Sequence, residues 1–260
     1  MKYGDIEVNH EEHVAILEIQ RPPNNHFDVA LVNSLADALK DLDKETNTRA
    51  LVLCAAGKHF CAGRNFADPV RNAEEAKRSD DDPNPLYTAA VKLFSSKKPL
   101  VCAVQGAAVG GGFGLAVMAD FRVVCPEARF VGNFVKLGFH PGFGLTHTLP
   151  KLIGHQKANL MLMTGRRIKG ETAYEWGLAD ILTDSEHLRS EALGLAAEIA
   201  ENAPLAVQSV RATMRQGLSE TVQTVTDWEN SEQARLQKTE DHKEGVRAVA
   251  ERRPGNFVGR

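Results

Sequence analysis

The hydrophobic pattern of the first part of the chain alternates between strand-like and helix-like spacing. Residues 6–8 and 14–19 predict two strands. Residues 29–42 carry apolar side chains at helical spacing, and Asp28 just before them is a candidate N-cap. A continuous apolar run at residues 50–55 predicts a buried strand. The order strand, helix, strand with a short connection therefore predicts a right-handed βαβ unit in a parallel sheet.

The stretch from Pro99 to Asp120, PLVCAVQGAAVGGGFGLAVMAD, predicts a strand, a glycine turn and a helix. The run of Gly110, Gly111 and Gly112 is costly in backbone entropy, so it needs a physical reason. One reason is that a backbone without Cβ atoms lets a negative oxygen approach N–H donors at a helix start. The other is close packing of the helix on the strand. Asp120 ends this helix and is expected to make local hydrogen bonds.

The second half of the chain is mostly helical. Residues 121–124 and 129–131 predict short strands, and residues 133–150 predict a loop. Helical patterning follows in the segments 153–164, 170–177, 185–202, 204–217, 220–238 and 241–252. The main apolar residues of the long polar helix at 220–238 are Val222, Val225, Trp228 and Leu236. We expect a β-α core over residues 1–200 and a C-terminal helical region over residues 201–260, serving as a lid or in oligomerisation.

Composition narrows the class of protein. The chain of 260 residues is 43% hydrophobic and 25% charged, as in ordinary globular proteins, and its net charge of −3 offers no basic field to nucleic acid. No apolar run reaches membrane-span length, and the N-terminus lacks a signal-peptide pattern, so we expect a cytoplasmic protein without a membrane partner. The charged stretch at residues 69–85 predicts a solvated excursion.

The cysteines carry no metal-ligand spacing, so no metal site is expected. All four, Cys54, Cys61, Cys102 and Cys125, lie mostly in apolar surroundings that are typical of buried, reduced thiols. A catalytic thiol is the alternative, and Cys61 is its best candidate.

Five stretches together resemble one family, the crotonase or enoyl-CoA hydratase/isomerase superfamily. They are HFCAGRNF (59–66), KPLVCAVQGAAVGGGFGLAVMAD (98–120), LGFHPGFGLTHTLPKLIG (137–154), LMTGRRIKGETAYEWGLAD (162–180) and EDHKEGVRAVAERRPGNF (240–257). Their order and spacing cover nearly the whole chain. The resemblance implies an α/β fold with a crotonase-like (ββα)n spiral core and a C-terminal helical region for oligomerisation, assembled as a homotrimer or hexamer.

The resemblance also implies an acyl-CoA substrate, with coenzyme A as part of the thioester and no separately bound cofactor. The family holds a thioester enolate oxygen with two backbone N–H groups, which carry over to Arg64 and Gly111. The Arg64 side chain reaches a CoA phosphate or an acyl carboxylate, or it is solvated. Residues implied to contact CoA are Asn24, Asn25, Ala62, Arg64, Asn65, Phe66, Arg252 and Arg253. A solvated basic tail is the alternative for the last two.

The sequence departs from the family where its hydratases carry two glutamates. Those positions are Gly114 and Phe134 here, and neither side chain can supply an acid or a base. His140 is a candidate replacement, since histidine titrates near neutral pH, although a packing role in its turn is the alternative. Asp68 either faces the acyl pocket or caps a helix. We therefore expect ordinary hydration of crotonyl-CoA to be absent or very slow.

Two functions of different kinds follow from these observations. One is an enzyme that stabilises a thioester enolate in isomerisation, decarboxylation or thioester hydrolysis. The other is a CoA-thioester binding or scaffold protein without chemistry. A third possibility, a nucleotide-binding α/β protein, is disfavoured because the glycines at 110–112 do not form G-x-G-x-x-G with an acidic partner and GxxxxGK[ST] is absent. The acyl group stays open, because Phe113, Phe134, Phe139 and Phe143 fit either a pocket or a core.

Overall fold

A computed structural model describes residues 1–65 and 84–260. Its strands are β1 (Lys2–Tyr3), β2 (Ile6–Glu11), β3 (Val14–Ile19), β4 (Ala50–Ala55), β5 (Leu100–Val104), β6 (Ala107–Val109), β7 (Phe121–Val124), β8 (Arg129–Val131), β9 (Arg167–Lys169) and β10 (Ile181–Leu182). The larger sheet has the order β1-β2-β3-β4-β5-β7-β10, and the smaller has the order β6-β8-β9. The predicted excursion at 69–85 falls almost wholly outside the described residues.

Helices flank the larger sheet and form most of the chain after residue 144. They are α1 (Val29–Leu42), α2 (Pro85–Phe94), α3 (Gly111–Val117), α4 (Leu145–Thr164), α5 (Gly170–Glu175), α6 (Leu188–Ala200), α7 (Pro204–Met214), α8 (Leu218–Leu236) and α9 (Glu240–Ala250). A 3-10 helix spans Asn133–Leu137. None of the helices seen in the described ranges is long and apolar enough to cross a membrane.

The predicted βαβ unit is confirmed in its pairing. Strands β3 and β4 lie parallel with Val14 opposite Ala50, and α1 connects them. Asp28 caps α1 by accepting a hydrogen bond from the Leu31 N–H at 2.7 Å. Every residue of β4 and β5 is buried because α6 covers one face of these strands and the central position in the sheet removes both edges. Their continuous apolar runs follow from this burial.

The loop predicted at residues 133–150 is wrong over most of its length. Residues 133–137 form the 3-10 helix, and α4 already begins at Leu145. No local side chain caps α4. The carboxylate of Glu229, on α8, accepts hydrogen bonds from the Gly144 N–H at 2.8 Å and the Thr146 N–H at 3.2 Å. The cap that starts this helix therefore comes from a residue more than eighty positions away, which local patterning does not reveal.

Helix α8 turns a polar rather than an apolar face to the protein. Its buried side chains are Val222, Thr226, Glu229 and Gln233, while Trp228 is 65% exposed. Of the four apolar residues named from the sequence, Val222 is fully buried and Leu236 is half-buried against the core, whereas Trp228 points outward. The buried polar side chains keep their hydrogen bonds, as buried polar groups must.

Asp120 links the C-terminal helices to the sheet, so the expectation of purely local hydrogen bonds is wrong. Its carboxylate accepts hydrogen bonds from the Leu100 N–H at 2.8 Å, from Arg211 of α7 at 2.7 Å and from Arg215, which directly follows α7, at 2.9 Å. A mixed α/β fold with a helical C-terminal region results, as expected. The proposed boundary at residue 200 stays a prediction.

Candidate active site

A cavity of about 320 Å³ opens between the glycine turn, α2, the 3-10 helix and α8. Its walls are mainly aromatic and carboxamide side chains together with backbone. The lining residues within the described ranges are Phe27, Ala62, Gly63, Arg64, Asn84, Leu86, Tyr87, Val109, Gly110, Gly111, Asn133, Phe134, Leu137, Phe139, Gly142, Phe143, Asn230, Gln233, Ala234, Gln237 and Val249. Both residues implied as oxyanion donors, Arg64 and Gly111, lie on this cavity.

Each glycine of the run at 110–112 has its own steric reason. Gly110 adopts φ 55°, a conformation that other residues rarely take. A Cβ atom on Gly111 would overlap the ring of Phe27, and one on Gly112 would overlap the carbonyl oxygen of Cys61. The close-packing explanation from the sequence therefore holds for Gly111 and Gly112, and it coexists with their position at the cavity.

The loop that carries Arg64 is fixed against the glycine turn by backbone hydrogen bonds. The Cys61 N–H donates to Ala107 O at 2.9 Å, and the Val109 N–H donates back to Cys61 O at 3.0 Å. Gly63, at φ 78°, lies so close to the turn that a Cβ atom there would stand 2.5 Å from the Val109 carbonyl oxygen. These contacts bring residues almost fifty positions apart to one cavity wall.

The Gly111 N–H has no protein acceptor within residues 1–65 and 84–260. It stands at the first position of α3, where helix geometry leaves the N–H without an intrahelical partner. The residue itself lines the cavity.

Phe143 occupies the space that a side chain at position 114 would need. A Cβ atom on Gly114 would lie 2.6 to 2.7 Å from the Phe143 ring and its Cβ, well inside van der Waals contact. Phe143 is 2% exposed and packs edge-on to Phe27 at 6.1 Å between ring centroids. Its φ of 63° is unusual for an aromatic residue. Gly114 and Phe143 therefore form a complementary pair in which only one side chain fits.

The described cavity wall contains no Asp, Glu or His side chain. His140 is not among the lining residues, and its Nδ1 lies 2.8 Å from the carbonyl oxygen of Pro141. The position of its ring gives no support to an acid or base role. Asp68, the other candidate, and Phe66 lie outside the described residues.

The residues implied for CoA binding occupy different environments. Ala62 lines the cavity and donates its N–H to Asn24 O at 2.9 Å. Asn25 is fully buried, and its side chain holds the backbone of Arg21, Ala56 and His59, so it organises the loop rather than reaching a ligand.

The other implied CoA contacts do not line the described cavity. Asn65 follows Arg64 and is half-buried. Arg253 pairs with Glu244 and with Glu251, and Arg252 lies next to it at φ 56°. The two arginines therefore belong to the C-terminal segment around α9 in this chain.

Sequence reasoning missed the polar groups of the cavity. The Tyr87 hydroxyl of α2 donates to Gln233 Oε1 of α8 at 2.8 Å, and Asn84 Nδ2 donates to Asn230 Oδ1 at 3.0 Å. Nearby, burial raises the pKa of Glu229 to about 7, while its three hydrogen bonds from Gly144 and Thr146 act in the opposite direction. The one available signal was the spacing of Glu229, Asn230 and Gln233 on one helical face.

The thiols are buried, as expected from their surroundings. Burial raises the pKa of Cys61 to about 12 and that of Cys54 to about 11. A thiol that keeps its proton at neutral pH is a poor nucleophile, which argues against a catalytic Cys61.

The mixed α/β core with its C-terminal helices defines a crotonase-like fold. The family model for enoyl-CoA hydratase/isomerase matches residues 9–260, and the chain belongs to that family. Members of this family act on CoA thioesters.

Named relatives carry several activities. The chain is 32% identical to a 1,2-epoxyphenylacetyl-CoA isomerase of Escherichia coli over 96% of this chain and 97% of the relative. It is 31% identical to a crotonyl-CoA hydratase of Syntrophomonas wolfei over the full length of both. The solved structure of an enoyl-CoA hydratase/isomerase from Pseudoalteromonas atlantica superposes with a TM-score of 0.85, at 26% identity, over 98% of this chain and 100% of that chain.

Proposed function

We propose that the chain binds an acyl-CoA thioester in the aromatic cavity and stabilises a thioester enolate with the backbone N–H groups of Arg64 and Gly111. The observation that carries the proposal is that both residues line one cavity, whose described wall combines aromatic and carboxamide side chains without a carboxylate or an imidazole. Fixed N–H donors act strongly on an oxygen that gains negative charge where water is excluded.

The reaction class follows from the composition of the cavity wall. Hydration of an enoyl-CoA needs a base for water and an acid for the α-carbon. The described wall offers no carboxylate or imidazole, and Phe143 takes the space of a side chain at position 114. We therefore infer a reaction other than ordinary hydration, such as isomerisation, decarboxylation or thioester hydrolysis. The family itself includes relatives named for isomerisation as well as hydration.

Decarboxylation illustrates how such a site can work without a protein base. The bond between the α-carbon and the carboxylate breaks, CO₂ leaves, and the electron pair of that bond enters the enolate. The N–H groups of Arg64 and Gly111 then hold the enolate oxygen until the α-carbon takes a proton from water.

A panel of acyl-CoA thioesters incubated with the protein in D₂O tests the proposal, with mass spectrometry reading both conversion and deuterium uptake at the α-carbon. Saturable conversion of any thioester supports an enzyme. Crotonyl-CoA hydration at an ordinary enzyme rate, on the order of 10 per second, would refute the inferred reaction class. Binding without conversion or exchange across the panel supports the second candidate, a CoA-thioester binding protein, which the lack of acid and base groups on the described wall favours.

Two substitutions at Arg64 separate its backbone from its side chain. Arg64→Ala removes the guanidinium and keeps the N–H, so turnover of any converted thioester should stay within a few-fold of the parent. Arg64→Pro removes both and should lower turnover by about 10²- to 10³-fold. Circular dichroism establishes that both variants fold. Equal turnover in the two variants contradicts the assignment of the Arg64 N–H.

We also propose that the chain assembles as a homotrimer or hexamer. Helix α7 buries no side chain within the monomer, and it exposes Leu205, Val210 and Met214. Apolar side chains that are left uncovered in this way favour an interface between copies. Analytical ultracentrifugation tests this, and a monomer at micromolar concentration contradicts it.

A further inference from the structure

We propose that the amide groups of Gln233 and Asn230, with Gln233 oriented by Tyr87, form a polar subsite that selects an acyl group carrying a hydroxyl or carbonyl oxygen on an apolar body. The inference rests on the proposed function, because it takes the cavity as the acyl site. It adds the chemical class of the acyl group.

The body of the cavity suits an apolar and flat group. Phe27 and Phe143 meet edge-on at 6.1 Å between ring centroids, and Phe134 and Phe139 meet edge-on at 5.7 Å. All four side chains are at most 8% exposed and line the cavity. Aromatic walls of this kind gain most from a ligand with aromatic or extended hydrocarbon surface.

The polar groups are held in a hydrogen-bonded chain. The Tyr87 hydroxyl donates to Gln233 Oε1 at 2.8 Å, and Gln233 Nε2 donates to the His140 carbonyl oxygen at 2.7 Å. Together these bonds fix which end of the Gln233 amide carries the N–H groups, and one N–H stays available. Gly142 makes the arrangement possible, because a Cβ atom there would overlap the Tyr87 hydroxyl.

Asn230 adds a second donor one helical turn away on α8. Its Oδ1 accepts a hydrogen bond from Asn84 Nδ2 at 3.0 Å. This bond fixes which atom of the Asn230 amide is the oxygen and which is the nitrogen. The Asn230 N–H groups have no partner in the described part of the chain. Two oriented amides therefore offer N–H groups to the cavity, and a substrate oxygen is the natural acceptor.

The polar subsite and the oxyanion donors share one cavity and are linked by aromatic side chains. The ring of Phe27 covers Gly111, the ring of Phe143 packs against Phe27, and Phe143 follows Gly142, over which the Tyr87 hydroxyl lies. The Phe27 and Phe143 rings thus connect the Gly111 wall to the Tyr87–Gln233 pair through direct contacts. An acyl group with its thioester at Gly111 meets apolar surface first and polar groups further along.

Selection follows from the cost of unpaired polar groups. A hydrocarbon acyl group that displaces water from Gln233 and Asn230 leaves their N–H groups without acceptors, whereas an acyl oxygen replaces the water. Sites built to hydrogen-bond a substrate oxygen reject analogues that lack it far more strongly than they reject a change of one methylene.

Dissociation constants for two nearly isosteric pairs of thioesters test this subsite. One pair is para-hydroxyphenylacetyl-CoA and para-methylphenylacetyl-CoA, and the other is omega-hydroxyhexanoyl-CoA and heptanoyl-CoA. We expect the oxygen-bearing member of at least one pair to bind about tenfold more tightly or better. In Asn230→Leu and in Tyr87→Phe this ratio should fall to about threefold or less.

Matched controls keep the outcomes apart. Gln223→Leu changes an exposed amide on the same helix, and Tyr174→Phe removes the hydroxyl of a half-exposed tyrosine, so both should keep the parental ratio. Equal binding of both members in each pair overturns the subsite, and a preference that survives in both cavity variants overturns its assignment to these residues. If free CoA and all four thioesters fail to bind, the proposed function itself fails.

Discussion

The contact between Gly114 and Phe143 gives a direct test of why a carboxylate cannot simply be placed beside the glycine turn. We consider Gly114→Ala, which adds one methyl group. The new Cβ would lie 2.6 Å from the Phe143 ring, where an unstrained carbon–carbon contact needs about 3.5 to 4.0 Å. Phe143 has little room to move because it is 2% exposed and packed between Phe27 and Phe94.

Overpacking of this kind costs about 1–3 kcal/mol of unfolding free energy. The overpacking cost of Gly114→Ala should largely disappear when the Phe143 side chain is removed, so the substitution should be close to neutral in a Phe143→Gly background. Phe143→Gly itself loses about 3–5 kcal/mol of packing, partly offset because glycine adopts the φ of 63° without strain. The double-mutant cycle should therefore show a coupling of about 1–3 kcal/mol.

Urea unfolding at one fixed protein concentration measures each corner of this cycle. Gly194→Ala is the matched control, since it lies inside α6 and a Cβ there meets no atom within 4 Å. It should stabilise the protein by up to about 1 kcal/mol through helix propensity. Additivity of the Gly114 and Phe143 substitutions within about 0.5 kcal/mol would refute the proposed steric conflict. A Gly114→Glu variant with rapid crotonyl-CoA hydration would refute it as well.

Three further predictions rest on buried groups. Burial raises the pKa of Glu229 from an ordinary value of 4.5 to about 7 in the folded protein. The stability contributed by the protonated carboxyl is therefore fully present below pH 4.5 and is lost as the pH rises through 7. Glu229→Gln should flatten that slope in urea midpoints between pH 4.5 and 7.5, and an unchanged slope contradicts the assignment. Asn25→Ala should cost on the order of 3 kcal/mol, because three partly buried backbone groups lose the fully buried side chain that pairs them, and thermal unfolding measures the loss. Cys61 and the other thiols should react with Ellman's reagent only on unfolding, and rapid reaction in the native state would contradict their burial.

Local patterning predicted the central strands well because burial on both faces leaves a continuous apolar run, as in β4 and β5. Local patterning also predicted α1 and its cap, because the cap is a local contact: Asp28 accepts a hydrogen bond from the N–H of Leu31, three residues away. The short strands β6 and β9 were not predicted. Strand β6 lies directly before the glycine run and was taken as part of the turn, and β9 has a single apolar residue between two charged ones.

The candidate site was predicted in part. The glycine run and the loop at Arg64 were located by motif, and the structure brings both to one cavity. The polar wall formed by Tyr87, Asn230 and Gln233 was not predicted. These residues are spread along more than 140 positions, and a tyrosine or an amide has no sequence pattern that distinguishes a cavity from solvent.

The sequence by itself determined the central strands, helix α1 with its cap, and the residue types at the glycine turn. These properties depend on neighbours within a few positions along the chain. Tertiary structure alone decided that Glu229 starts α4, that Asp120 binds α7, and that Phe143 occupies the space beside Gly114. Each of these depends on groups that are distant in the chain and meet only when the core excludes water, so no local pattern records them.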